Sequence, residues 1–219
     1  MAAMNVYFIP GLGADKRVFR HIQLPDGYKV QYINWLSPEP AETLTHYAQR
    51  LAAQIPEDAP WCLVGLSFGG MLATEISKFR HPEKTILIAS IQSAHELPFY
   101  FRWAAPLRLH KIIPIGLFKQ ASLAKRLFTT ETKEDKELLR KIIQESDPAF
   151  LRWAMGAILN WKPAPPAGKL YHIHGTGDRL LPIRFTNPTH FIKGAGHLMV
   201  MNRAAEINQA LAAILVDKK

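Results

Sequence analysis

The stretch WCLVGLSFGGMLATEISKF, residues 61–79, changes character in its middle. Trp61 to Leu66 is a short apolar run of the kind that forms a buried strand. Leu72, Ile76 and Phe79 then recur at helical spacing, and that helix must finish before Pro82. Strand, turn and helix therefore meet at Ser67. Its neighbours, Gly65-Leu66-Ser67-Phe68-Gly69, fit the pattern G-x-S-x-G, in which the glycines remove side chains where strand and helix approach closely. A serine on so sharp a turn is held in a strained conformation with its hydroxyl projecting. The following helix points its first backbone donors and the positive end of its dipole at the same place. Ser67 is the candidate nucleophile, and the N–H of Phe68 is a candidate donor to an oxyanion.

Outward from this segment, strands and helices alternate. Val6 to Ile9 is an apolar run ended by Pro10-Gly11-Leu12-Gly13, and Val30 to Trp35 alternates as a second strand before Ser37-Pro38. Leu44, Tyr47, Ala48, Leu51, Ala52 and Ile55 trace one face of a helix that Pro56 stops. Lys84 to Ile91 and Lys169 to Ile173 read as further strands, and Phe191-Ile192 as the last. Between Ile91 and Lys169 the alternation gives way to helices. Thr132 to Glu145 carries Leu138, Leu139, Ile142 and Ile143 on one side, and a second helix starts at Asp147-Pro148, where Asp can cap and Pro fits the first turn. Phe150, Leu151, Trp153, Met155, Ile158 and Leu159 make that second helix apolar nearly all round, which predicts cover on several sides. The proline-rich return, 163–166, leads back to the core. The fold class is α/β: a mainly parallel sheet with helices on both faces, residues 1–96 and 163–219 forming the core and 97–162 a helical cap. Sites in such sheets lie beyond the carboxyl ends of the strands.

A serine is a weak nucleophile at neutral pH and needs a base within hydrogen-bond reach. Of the nine histidines, His197 follows Gly194-Ala195-Gly196 on a loop just past the last strand. His172 and His174 lie in or at the end of a strand and read as packed or loop-bracing residues. The base in turn needs a carboxylate to fix its tautomer. Asp178, after Gly175-Thr176-Gly177, follows a strand and precedes His197, whereas Asp147 reads better as a helix cap. The order Ser, Asp, His is that of a known arrangement. The N–H of Leu12, beyond the first strand, is the second candidate oxyanion donor, and His95 and Leu198 are candidate substrate-lining residues.

Composition bounds the rest. A hydrophobic fraction of 48% and a charged fraction of 21% exclude disorder, collagen and coiled coil as overall classes. No apolar run approaches the roughly 20 residues of a membrane span, and Met1 to Asn5 lacks the basic start of a secretory signal, so the expected compartment is the cytoplasm. Cys62 is the only cysteine and reads as a small core residue. The net charge of +9 is concentrated in residues 97–162, where 12 Lys and Arg face 6 Asp and Glu. No zinc-finger spacing, RNP-like aromatic motif or Arg-rich arm accompanies it, so nucleic acid is not an expected partner.

Taken together, PGLG after the first strand, GLSFGG, GTGD followed by Pro182, and GAGH closely resemble the α/β-hydrolase superfamily over most of the core. The resemblance implies a glycine-containing loop and an elbow that supply the two oxyanion donors, Leu12 and Phe68, with Ser67 as nucleophile and a helical cap over the pocket. Pro10 stands where the family usually carries His, and the chain starts too late for the family's first two strands. About six parallel strands are therefore expected, with the Val30 strand on one edge and the Phe191 strand on the other. A serine at the elbow argues against the dehalogenases and epoxide hydrolases of this fold, which use aspartate there. The expected activity is hydrolysis of a small-molecule carboxylic ester through an acyl-enzyme by Ser67, His197 and Asp178, with no metal or organic cofactor. The same triad serves other acyl chemistry. Its alternatives are a thioesterase on an anionic acyl carrier, a non-catalytic ligand-binding relative, and a membrane-surface lipase with the stretch from Leu97 to Phe118 as lid.

Overall fold

In a computed structural model of the chain, residues 3–56, 58–104, 132–162 and 170–217 are described, with the side chains of 102–104 excepted. Six strands pair in the order β2-β1-β3-β4-β5-β6, all parallel. They are β1 (Met4–Ile9), β2 (Tyr28–Tyr32), β3 (Trp61–Leu66), β4 (Lys84–Ile88), β5 (Leu170–Gly175) and β6 (His190–Ile192). The number of strands, their direction and both edges are those expected. The strand at Val30 is set two to three residues earlier than its sequence pattern suggested. It pairs with β1 from Met4↔Tyr28 to Phe8↔Tyr32, and Trp35 instead leaves the sheet to donate its indole N–H to the Ala14 carbonyl at 2.7 Å.

Alternation along the central strands sorts their side chains into two cores. Tyr7, Ile9, Leu63 and Leu87 face one layer; Val6, Phe8, Cys62, Val64, Ile86 and Ile88 face the other. Because both faces are covered, the strands read as continuous apolar runs rather than as alternating polar and apolar residues. The first layer is closed by α1 (Leu44–Ala52), α2 (Phe68–Ile76) and α5 (Pro148–Leu159). The second is closed by α6 (Met199–Asn202) and α7 (Ala204–Val216), with Val18 and Phe19 of a short 3₁₀ turn. Cys62 lies within this second core, and burial pushes its thiol up to about 11, so it is an inert packing residue.

Each helix begins where its sequence allows. Thr43 caps α1 by accepting from His46 N–H, Thr132 caps α4 (Lys133–Glu145) by accepting from Asp135 N–H, and Asp147 caps α5 by accepting from Ala149 N–H. A helix α3 (Phe99–Ala104) follows β4. Helix α5 buries one stripe, Phe150, Leu151, Ala154 and Ala157, while Trp153, Met155, Ile158 and Leu159 stay half-buried. Its cover is therefore less complete than its composition implied. Residues 105–131 of the segment read as a cap and the proline-rich return at 163–166 lie outside the described residues. Among the described residues no helix is long and apolar enough to cross a membrane.

Candidate functional site

Strand order reverses between β1 and β3, because β2 lies beyond β1 on one side and the remaining strands on the other. Crevices at such switch points are where α/β sheets bind ligands. The loops after β1 and β3 meet there: a Cβ placed on Gly11 would lie 3.4 Å from the Cβ of Ser67.

Ser67 is seated from three directions. Its N–H donates to Ile88 O at 2.9 Å, Ser90 Oγ–H donates to its carbonyl at 2.7 Å, and its carbonyl also accepts the Gly70 N–H at 2.9 Å. The backbone at Ser67 has φ 52° and ψ −118°, a conformation L-residues adopt at a cost of about 1–3 kcal/mol. The surrounding bonds and the close strand–helix packing hold it there. A Cβ on Gly65 would come within 2.3 Å of Gly69 O, and one on Gly69 within 2.3 Å of Ile9 O and 2.4 Å of Pro10 O. Backbone atoms on both sides leave nothing flexible to move. Gly69→Ala should therefore cost about 3 kcal/mol of folding stability in chemical denaturation, and more if β1 cannot shift. Unchanged stability would show that the elbow is not packed this closely.

Two further loops bring the remaining residues together. Thr176 N–H donates to Ile192 O at 3.1 Å, Gly177 N–H to Ala195 O at 2.9 Å, and Gly194 N–H to Thr176 Oγ1 at 2.7 Å. Gly175 has no room for a side chain, since a Cβ there would lie 2.2 Å from Ala195 O. The loop after β5 is thus fastened to the loop after β6, and Asp178 meets His197 across 19 residues of sequence.

The resulting line is short. Ser67 Oγ lies 2.9 Å from His197 Nε2, and His197 Nδ1 lies 2.7 Å from Asp178 Oδ2. An ionised carboxylate can only accept, so Nδ1 carries the imidazole proton, and Nε2 is left to accept from the serine hydroxyl. Asp178 Oδ1 accepts the N–H groups of Leu180 and Leu181, both at 2.9 Å, which leaves Oδ2 for the imidazole. Burial alone would raise the Asp178 carboxyl, but the His197 imidazole and the Leu181 N–H outweigh it and hold the group below its ordinary 3.8. Asp178 and His197 are buried, whereas Ser67 is partly exposed.

The other sequence candidates fall in different places. Leu198 is buried directly after His197; His95 is exposed on the short turn Ala94–Glu96 after β4. Asp147 caps α5, as its Asp-Pro context predicts. Trp161 is buried and donates its indole N–H to the buried carboxylate of Glu75 at 2.8 Å, and Trp153 packs against Tyr47 and Phe68, so these two aromatics brace the fold.

Sequence reasoning placed His172 and His174 as packed residues without seeing that they bond each other. Both are fully buried, with His172 Nε2 2.9 Å from His174 Nδ1 and His174 Nε2 2.7 Å from Leu181 O. Burial, joined by the neighbouring His174, pushes His172 down to about 3, and burial likewise lowers His174. Unfolding frees His172 to take up a proton at its ordinary 6.5. The unfolded chain thus binds more protons between those values, and stability is lost as pH falls below about 6.5, by roughly 1.4 kcal/mol per pH unit for this group. Urea denaturation at stepped pH should show that slope; a flat profile from neutral pH down to about 5 would contradict it.

Among the described residues, Glu39, Glu42 and His46 are the group whose ligand atoms come close enough for a metal ion. Arg50 already pairs with both carboxylates, so a cation there would have to displace a guanidinium. A cleft of about 320 Å³ is lined by Gly13, Trp35, Ser146 and Phe150, among others, and by none of Ser67, Asp178 and His197. It lies behind the loop after β1, where Ser146 Oγ–H donates to Gly13 O at 2.8 Å.

A sequence profile of the alpha/beta hydrolase family matches residues 6–210. No curated protein matches the sequence significantly. Among solved structures, a bromoperoxidase from Bacillus anthracis is similar with a TM-score of 0.74 at 18% identity, covering 99% of this chain and 93% of the other. A thermophilic esterase from Thermogutta terrifontis is similar with a TM-score of 0.67 at 19% identity, covering 98% and 90%. An enol-lactonase from Burkholderia xenovorans LB400 is similar with a TM-score of 0.69 at 16% identity, covering 99% and 93%. With a six-stranded parallel sheet in this order and a family profile spanning nearly its whole length, the chain belongs to the alpha/beta hydrolase family.

Proposed function

We propose that this protein is a serine hydrolase that cleaves a small-molecule carboxylic ester through an acyl-enzyme intermediate. The observation that carries the reading is the continuous line from Ser67 Oγ through His197 to Asp178, with bonds of 2.9 and 2.7 Å. Ser67 Oγ attacks the ester carbonyl as His197 Nε2 takes its proton, and the carbonyl oxygen becomes an oxyanion. The N–H groups of Leu12 and Phe68 are the proposed donors to that oxyanion: Phe68 opens α2, where the first amides have no acceptor within the helix. His197 then returns the proton to the leaving alkoxide, and the alcohol departs. A water, deprotonated by His197, attacks the acyl-enzyme and releases the acid and Ser67. Asp178 stays ionised throughout, orienting the imidazole and stabilising its charged form.

Residues 97–162 are the segment proposed as the cap over this site, and the presence of an esterase and an enol-lactonase among the structural neighbours accords with ester chemistry. The excess of basic residues in that segment favours a second reading, a thioesterase acting on an anionic acyl carrier. Rate loss with rising salt separates that reading from a neutral ester substrate. A fluorophosphonate probe tests the central claim: it should label the wild type at Ser67, mapped by mass spectrometry, and leave Ser67→Ala unlabelled. A folded wild type that is not labelled would overturn the reading.

A further inference from the structure

The buried pair His172 and His174 takes no part in the acyl transfer itself, yet it is joined to the loop that carries Asp178. His174 Nε2 bonds Leu181 O at 2.7 Å, and the N–H of the same Leu181 donates to Asp178 Oδ1 at 2.9 Å. The protons follow from chemistry. A carbonyl only accepts, so His174 carries its proton on Nε2 and leaves Nδ1 as an acceptor. His172 must then donate from Nε2, and its Nδ1 is left bare. That nitrogen is the buried side-chain atom without a hydrogen-bond partner among the described residues.

A buried nitrogen without a partner costs free energy that an apolar side chain of similar size would not. We propose that His174, with its tautomer fixed by the Leu181 carbonyl, is a positioning residue that pins Leu181 and so aims Asp178 at His197. The inference rests on the triad reading above. His174 Nε2 is 3.6 Å from Asp178 Oδ2, too far for a hydrogen bond, so it acts through the loop rather than on the carboxylate itself. With Leu181 held from both sides, Oδ1 keeps its two amide donors and Oδ2 stays free for the imidazole. A loop allowed to shift by about 1 Å would misalign the base, a displacement that costs catalysis on the order of 10²-fold.

The test compares wild type, His174→Leu and His174→Gln in the full chain. His174→Leu should lose about 10²-fold in kcat with KM little changed, slow fluorophosphonate labelling by the same factor, and lose the downfield proton resonance of the Asp178–His197 bond. His174→Gln, whose terminal amide N–H can still reach Leu181 O, should restore most of the rate. Wild-type kcat in folded His174→Leu, or a rate loss that His174→Gln does not repair while the resonance persists, overturns the proposal. Should His174→Leu fail to fold, ¹⁵N-histidine spectra of the wild type decide: His174 must carry its proton on Nε2, and the Nδ1–H form would refute the inference. Ser67→Ala in the same assays keeps the two readings apart, since retained activity there removes the triad reading itself, whereas an inert Ser67→Ala beside a fully active His174→Leu removes only the positioning role.

Discussion

Ser67→Ala should fold as the wild type does and lose about 10⁶-fold in kcat on an activated ester. The stability half of this expectation comes from the backbone. Alanine meets the same strain at φ 52°, and Ser67 Oγ serves His197 rather than the start of its own helix, which has no side-chain cap. Removing the hydroxyl therefore deletes the attacking atom and little else. Residual turnover of about 10³-fold over the uncatalysed rate should remain, because backbone donors and binding still act on the carbonyl. Steady-state kinetics with a denaturation curve reads both quantities. Activity within tenfold of wild type would mean that another group attacks. Cys62, buried in the second core with its thiol pushed up to about 11, is not suited to be that group.

Asp178→Asn should cost about 10⁴-fold in kcat while leaving the geometry in place. The side chain accepts three bonds, from the N–H groups of Leu180 and Leu181 and from the His197 imidazole. An amide has one accepting oxygen, and the two backbone donors claim it. Its NH₂ group then faces His197 Nδ1 and can only donate, which moves the imidazole proton to Nε2 and sets it against the serine hydroxyl. The base is thus lost through its tautomer rather than its position. The acid behaviour should change as well. Asp178 is held below its ordinary 3.8 in the fold, so it contributes stability that is present above that value and lost as pH falls through the lower one. An amide at this position does not titrate and lacks the contribution, so the denaturation profile of Asp178→Asn should be flatter in that acid window. An Asp178→Asn enzyme of near wild-type kcat would remove Asp178 from the proposed triad.

The architecture was legible because its signals are local. Apolar runs of four to six residues, the helical spacing from Leu44 to Ile55 and the Asp147-Pro148 start each depend on a few neighbours, and each produced the element expected. Where a tertiary partner competed, local pattern gave way: β2 takes its register from β1, and Trp35 turns out of the sheet toward Ala14. Two elements carry no clear local signal. Val18 and Phe19 sit in a 3₁₀ turn of four residues, too short for a period, and α7 is apolar on more than its buried face. The buried Glu75, joined by Thr45, Lys78 and Trp161, was equally hidden, since a carboxylate in a helix reads as solvent-facing until its partners are known.

The sequence by itself determined the sheet, the strained serine turn and the three residue types available beyond the strand ends, because glycine spacing and strand–helix boundaries are properties of a few consecutive residues. Only the tertiary structure decided that they meet. Ser67 and His197 are 130 positions apart, and the bonds that set them 2.9 Å from each other run between loops after β3, β5 and β6. The same holds for His172 and His174. Alternation puts them on one face of β5, but whether that face packs them against apolar side chains or joins them into a hydrogen-bonded chain depends on what the neighbouring loop brings. Here it brings the Leu181 carbonyl, and a backbone acceptor leaves no trace in the residue names that carry it.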